Sequence, residues 1–204
     1  MKVIRDSIHG DIFLGNTELK IVDTPEFQRL RRLKQLGMTY FVYPGANHTR
    51  FEHSLGSFYL AEKLSEKIGL HNLDKTKIKF AALLHDTGHG PLSHTSEELL
   101  KRYLGVSHEK ITEHIIENSE ITSILEEVDI KPNDISAILA GKSGYMSKMI
   151  SSEFDVDRMD FLVRDAHHTG VAYGVIDLDR LLNTITIFDN DLVVEKGGLK
   201  AVEA

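Results

Sequence analysis

Apolar positions recur with helical spacing over most of this chain and alternate like strands only at its two ends. Between residues 2 and 14, Val3, Ile4, Ile12, Phe13 and Leu14 flank Ser7-Ile8-His9-Gly10, which reads as two short strands around a turn. Thr24-Pro25 is a helix start, because threonine caps and proline at the first helical position gives up an N–H that has no partner there. Phe27, Leu30 and Leu33 form the buried stripe of that helix, with Arg29, Arg32 and Lys34 outward and Gly37 after Leu36 as its stop. A second helix is predicted from about Arg50 to Ile68, ended by Gly69, with Phe58, Ala61, Leu64 and Ile68 at helical spacing. A third begins at Asp74. Along it Ile78, Ala81, Ala82, His85 and His89 share one face, so both histidines lie on the apolar side until Gly88, Gly90 and Pro91 end the helix.

Further helices are predicted near 108–118, with Ser107 as cap, then at 120–128, 132–140 and 145–168, the last closed by Gly170. On the long one Ile150, Phe154, Asp157, Phe161, Asp165 and His168 share a stripe, which points two carboxylates inward among apolar neighbours. Thr184 to Lys196 reads as a β-hairpin around Asp189-Asn190-Asp191, and Gly197 to Ala204 as the start of a helix that is not completed. The expected fold is mainly α, one domain over residues 1–204, with small β-hairpin additions at the N-terminus and near 184–196.

Composition narrows the chemistry. The 204 residues are 41% hydrophobic and 27% charged, which excludes disorder and collagen-like structure. The absence of cysteine removes disulfides, Cys-ligated zinc, Fe–S clusters and thiol catalysis, and fits a reducing compartment. Met1-Lys2-Val3-Ile4-Arg5-Asp6 has charges where a signal peptide needs an apolar core, and no apolar run approaches the ~20 residues of a membrane span, so the expected location is the cytoplasm. With 24 Lys+Arg against 31 Asp+Glu the net charge is −7, which does not indicate a nucleic-acid or membrane surface. An anionic substrate therefore needs a local cationic pocket or a metal.

The 11 histidines are unevenly placed, with His85, His89, His94 and His108 close together after His48 and His53. A single core-facing His or Asp is usually a hydrogen-bonded structural residue. Four of them, His53, His85, Asp86 and Asp157 from three predicted helices, favour a divalent metal, since imidazole and carboxylate suit Mn, Fe, Zn or Ni and a cation offsets the cost of burying such groups. Neighbouring helical residues point about 100° apart, so His85 and Asp86 share one ion only if it sits at the helix edge.

Three segments carry a resemblance: Asn47-His-Thr-Arg-Phe-Glu-His53-Ser-Leu-Gly56, Leu83-Leu-His85-Asp86-Thr-Gly-His89-Gly-Pro-Leu-Ser-His94, and Asp155-Val-Asp157-Arg-Met-Asp-Phe-Leu-Val-Arg-Asp165-Ala-His-His168. They resemble the HD-domain phosphohydrolases, in particular the deoxynucleoside triphosphate triphosphohydrolase branch that includes the sterile-alpha-motif/HD protein of animals. Lys2-Val-Ile-Arg-Asp-Ser-Ile-His-Gly10 and the run Asp23 to Gly37 match the same branch, so the resemblance spans residues 2 to about 170. It implies an HD helical bundle, a divalent metal (Mn, Fe, Mg, Zn or Ni) on His53, His85, Asp86 and Asp157, and dNTP hydrolysis to deoxynucleoside and triphosphate. It also implies that His89, His94, His108 and Arg50 face the phosphates, with His94 or His108 as general acid. By the same resemblance Gln35, Leu36 and Asp165 match the deoxyribose pocket. Asp23, Gln28 and Arg31 match a guanine-reading site for a dGTP or GTP activator at a subunit interface, which implies a homo-oligomer.

The departures are specific. Arg158 replaces a lysine of the family, still cationic but forked, and Phe161 replaces a pocket tyrosine of the animal enzyme. Arg5 and Asp11 differ around the activator site. The family continues for many residues beyond the point that matches Ala204, so the domain is expected to be truncated at its C-terminal end. Two other readings fit the same residues: a phosphodiesterase or pyrophosphohydrolase acting on another guanine nucleotide, and a non-catalytic nucleotide-binding regulatory subunit. His167-His168 is either a pair complementing a helix C-terminus or part of a site. His9, His48, His71 and His114 have no role assigned by the sequence.

Overall fold

The computed structural model describes residues 1–92, 94–174 and 176–198, and of His94 the backbone alone. Strands β1 (Lys2–Asp6) and β2 (Gly10–Leu14) pair antiparallel with Asp6 opposite Gly10. The Asp6 carboxylate accepts from the Ile8 and His9 N–H groups at 2.9 and 2.8 Å, which closes the predicted turn. Helix α1 (Asn16–Asp23), not foreseen from the pattern, buries Ile21 and Val22.

The helix expected over 25–36 is shorter. It is one turn, α2 (Pro25–Gln28), capped by the Thr24 hydroxyl and continued by a 3-10 turn over Arg29–Arg32. Leu33 is extended because the chain there pairs with residues 48–50: Gln35 N–H donates to His48 O at 3.1 Å, and Arg50 N–H to Leu33 O at 2.8 Å. Tertiary pairing overrides the helical pattern.

Helix α3 (Arg50–Lys67) follows the prediction closely and is buried on nearly every side, so it is the axis of the fold. Glu52 reaches back to the Thr49 N–H and hydroxyl at its start. Helix α4 (Asn72–Leu84) and helix α10 (Val156–Thr169) pack against it. The expected α4 is longer than the observed one, since His85 is its terminal cap and His89 lies beyond the helix. Residues 84–89 run as successive tight turns, with Thr87 N–H to Leu84 O at 3.0 Å and His89 N–H to Asp86 O at 3.1 Å. Gly88 permits this: a Cβ there would stand 2.1 Å from the His108 carbonyl oxygen.

Helices α5 (His94–Leu104), α6 (His108–Asn118), α7 (Glu120–Glu126) and α8 (Pro132–Leu139) follow, of which only α5 was not predicted. The long helix expected over 145–168 is broken into α9 (Tyr145–Ile150) and α10. The cause is Asp155, whose carboxylate accepts from Ser152 N and Arg158 N, both at 2.6 Å, and so caps a new helix. Gly170, at φ 75°, ends it as predicted. Helix α11 (Leu178–Thr184), also not predicted, leads to the expected hairpin of β3 (Ile185–Phe188) and β4 (Asp191–Val194), whose turn residues Asp189 and Asn190 both have positive φ. The incomplete helix expected after Gly198 lies outside the described residues. The fold is thus mainly α with two small antiparallel sheets. No helix among the described residues is long and apolar enough to cross a membrane.

Candidate metal centre

Three helices bring three candidate ligand atoms to one point. His53 lies in the first turns of α3, His85 caps α4, and Asp157 is in the first turn of α10. Their donor atoms all lie within 4.8 Å of one another. His53 Nε2 is 2.9 Å from Asp157 Oδ1 and 3.2 Å from His85 Nε2. Asp86 stands beside them, Oδ1 at 3.5 Å from His85 Nε2 and Oδ2 at 3.8 Å from His53 Nε2, while Oδ2 also takes a 2.5 Å bond from Arg50. Donors about 2.1 Å from a shared ion stand roughly 3.0–3.4 Å apart, and these contacts bracket that range.

Hydrogen bonds behind the two rings set their tautomers. His85 Nδ1 is 2.7 Å from the Ala82 carbonyl, which can only accept, so Nδ1 carries the hydrogen. His53 Nδ1 donates to Asp160 Oδ2 at 2.8 Å. Neutral rings would therefore aim two Nε2 lone pairs at each other, and a proton or a metal cation between them removes the repulsion. Without a metal a proton takes that place: burial lowers the His53 pKa, but hydrogen bonds and charges from Asp157 and Asp160 override it and push it up to about 10. His85 is raised against burial by Asp86 and Asp157, and Asp157 is held well below the usual carboxylate range by the two imidazoles. An N,N,O set with a further carboxylate at hand fits a divalent cation such as Mn, Fe, Zn or Ni.

The cluster opens on a cavity of about 480 Å³, a size suited to a small ligand. Arg50, His89 and His108 line it on the polar side, and Leu139, Ile150 and Phe161 on the apolar side. His89 and His108 stack with ring centroids 3.9 Å apart, His89 Nε2 lies 3.4 Å from Asp86 Oδ1, and Glu97 Oε1 lies 3.1 Å from His108 Nδ1. Glu97, His108 and Glu109 form a second, more open group of potential ligands. The side chain of His94, expected to face the phosphates, lies outside the described residues.

Gln35 and Phe161 are in the cavity wall; Leu36, Arg158 and Asp165 are not among its described lining residues. Asp165 is buried, with His48 Nε2 at 2.7 Å from one oxygen and the Tyr173 hydroxyl donating to the other at 3.2 Å. Arg158 is exposed. Of the three residues expected to read guanine, Gln28 and Arg31 are joined by a 2.9 Å bond and Arg31 lies 3.6 Å over the Phe51 ring. Asp23 lines a separate cleft with Lys20 and Glu127.

Sequence reading did not single out Asp6, His9, Asp160 and Arg164, which form the buried support of His53. The available signal was Asp160 and Arg164 four residues apart on the helix, a spacing that allows an ion pair. Arg29 was expected outward; instead it is half-buried and donates to the Thr87 and His89 carbonyls at 2.7–2.8 Å, bracing the turns that carry His89.

Comparison with known proteins places the chain in a family. The model of the HD domain matches residues 50–165, which contain all four expected metal ligands. An uncharacterized protein of Methanocaldococcus jannaschii is 46% identical over 208 residues, covering 100% of this chain and 43% of its own length. The human deoxynucleoside triphosphate triphosphohydrolase SAMHD1 is 35% identical over 211 residues, covering 84% of this chain and 34% of its own. The crystal structure of a phosphohydrolase from Bacteroides thetaiotaomicron superposes with a TM-score of 0.87 at 34% identity, covering 99% of this chain and 50% of that one. The chain thus spans half or less of the length of each of these relatives. With its candidate metal-ligand cluster on the matched helices, the chain belongs to the HD-domain phosphohydrolase superfamily.

Proposed function

We propose that the protein hydrolyses deoxynucleoside triphosphates to deoxynucleoside and intact triphosphate. The observation that carries this reading is the cluster of His53, His85 and Asp157, of which His85 and Asp157 line a cavity that also presents Arg50, His89 and His108. Those side chains suit a polyphosphate, and the apolar wall of Phe161, Ile150 and Leu139 suits a sugar and base. The likeness to SAMHD1 supports the choice of dNTP over other phosphate esters.

His53, His85, Asp86 and Asp157 would hold the metal, which when bound polarises a phosphoryl oxygen and lowers the pKa of water. The chain's own groups supply the rest. Arg50, fixed by Asp86, sets cationic charge against the phosphates in a protein of net charge −7. His108, with Glu97 beside Nδ1, is oriented to hold a proton for the departing sugar oxygen, a task that His94 can share. His89, stacked on His108 and close to Asp86, restricts where the phosphates lie. In this reading Gln35, Phe161 and Asp165 serve the sugar end, and Arg158 adds cationic charge for the phosphates. Within the same reading the protein works in the cytoplasm as a homo-oligomer, with Asp23, Gln28 and Arg31 as a site for dGTP or GTP.

The test is incubation of each of the four dNTPs with the protein and Mn²⁺, followed by ion-exchange chromatography. Deoxynucleoside and triphosphate in equal amounts are expected. Release of orthophosphate or pyrophosphate refutes this reading in favour of another nucleotide hydrolase.

A further inference from the structure

Behind the candidate metal centre, on the side away from the cavity, lies a second polar cluster that no expectation covered. Asp160, one helical turn after Asp157, is completely buried. Its carboxylate gathers donors from three parts of the fold. Oδ2 lies 2.8 Å from His53 Nδ1 and 2.8 Å from Arg164 Nε, and Oδ1 lies 2.6 Å from His9 Nε2 and 2.9 Å from Arg164 Nη2. Arg164, also fully buried, turns its other edge to Asp6, with Nη1 2.8 Å from Oδ2 and Nη2 3.2 Å from Oδ1. Asp6 is the residue that closes the β1–β2 turn, and His9, in that turn, stacks on Tyr59 of α3 with centroids 5.0 Å apart. A continuous chain of hydrogen bonds therefore runs from the N-terminal hairpin to the back of a candidate ligand.

Charge counting gives this chain a direction. Asp6 and Asp160 carry two negative charges and Arg164 one positive charge, so with both imidazoles neutral the buried group holds one negative charge in excess. Uncompensated buried charge is costly. A cation at His53 Nε2, on the far side of the same ring, is placed to compensate it. A hydrogen bond from the second nitrogen of a ligating histidine to a carboxylate also fixes the tautomer and raises the basicity of the first.

We infer that the N-terminal hairpin is a working part of the metal centre: His9 and Arg164 hold Asp160, and Asp160 holds the His53 ring with Nδ1 protonated and Nε2 aimed at His85 and Asp157. His9, Asp160 and Arg164 are positioning residues that act through His53. The inference rests on the metal reading of the cluster. A purely structural role, in which the network only fastens the hairpin to the core, makes a different prediction, because it would change stability without changing affinity for metal.

The experiment is calorimetric titration of the metal-stripped protein with Mn²⁺ at several pH values between about 6 and 8, so that affinities are compared after correction for the protons released. It covers wild type, His9→Ala, His9→Gln and Asp160→Asn, beside thermal unfolding of each in EDTA. His9→Ala is expected to lower Mn²⁺ affinity about 10-fold, and Asp160→Asn nearer 100-fold, the range for loss of a partner behind a ligand. His9→Gln keeps an N–H donor toward Asp160 and is expected to recover most of the loss, although it lacks the stacking ring and melts lower than wild type in EDTA. Wild-type affinity in His9→Ala, or equal losses in His9→Ala and His9→Gln, overturns the inference even if Asp160→Asn does not fold. A wild-type protein that binds no Mn²⁺ overturns the metal reading and this inference together, whereas tight wild-type binding with unchanged variants overturns this inference alone.

Discussion

Gly56→Ala is a sharp test of the buried support because two known effects oppose each other. Gly56 sits inside α3, one turn after His53, where replacing glycine by alanine ordinarily stabilises a helix by about 1 kcal/mol. Here the added Cβ would stand 1.8 Å from Asp160 Oδ1, and 2.5 Å from both Asp160 Cγ and Arg164 Nη2. The carboxylate would have to retreat by more than an ångström, yet it is held from three directions, so it must give up hydrogen bonds to His9 or Arg164. Breaking a buried ion pair costs about 3–5 kcal/mol. Taking the lower figure and subtracting the helix gain leaves a net loss of about 2 kcal/mol, or roughly 4–8 °C in Tm for a chain of this length. The assay is thermal unfolding followed by circular dichroism in EDTA, so that metal binding does not contribute. A Tm equal to or above wild type would mean that Asp160 and Arg164 are not packed against α3 in this way.

Three further outcomes follow from the same geometry. Asp157→Asn and His85→Ala should each remove bound metal and turnover together, since each takes a donor from the three-helix cluster; full metal content with normal turnover in either variant contradicts the ligand set. Affinity for Mn²⁺ should rise about tenfold per pH unit from pH 6 to 8 for each proton released, because the metal-free cluster holds His53 protonated with a pKa of about 10 and that proton must leave; a pH-independent affinity rejects this. Stability should fall with falling pH below about 4. Burial raises the Asp6 and Asp160 pKa values, but Arg164 at both sites and His53 and His9 at Asp160 hold them below the ordinary 3.8, so the unfolded chain takes up protons first. Urea midpoints measured from pH 5 to 2 check this, and Asp6→Asn should flatten the slope.

The sequence carried the parts of the fold in which local pattern and tertiary contact agree. Helix α3 was legible from Phe58, Ala61, Leu64 and Gly69 because its ends are set by local capping and its stripe by packing. The segment after Thr24-Pro25 misled because Leu33 and Lys34 pair with residues 48–50, a contact that the helical spacing of Phe27, Leu30 and Leu33 does not reveal. The break before α10 was also hidden, since Asp155 caps a new helix inside an unbroken apolar stripe. At the site, His53, His85 and Asp157 were legible as a candidate ligand set, and the structure brings their donor atoms together. Asp86 could be placed only beside them, because its direction depends on the turn after α4 and on Arg50. His9 was illegible for a different reason: its partner Asp160 is 151 residues away, and nothing local to the hairpin distinguishes it from a surface turn residue.

The most direct measurement of the central claim is hydrolysis of dATP in ¹⁸O-labelled water with the metal-loaded protein, followed by mass spectrometry of both products. One labelled oxygen in the triphosphate, unlabelled deoxyadenosine, and no reaction in EDTA or with Asp157→Asn are expected. Label in orthophosphate or pyrophosphate, or undiminished turnover in EDTA, would contradict it.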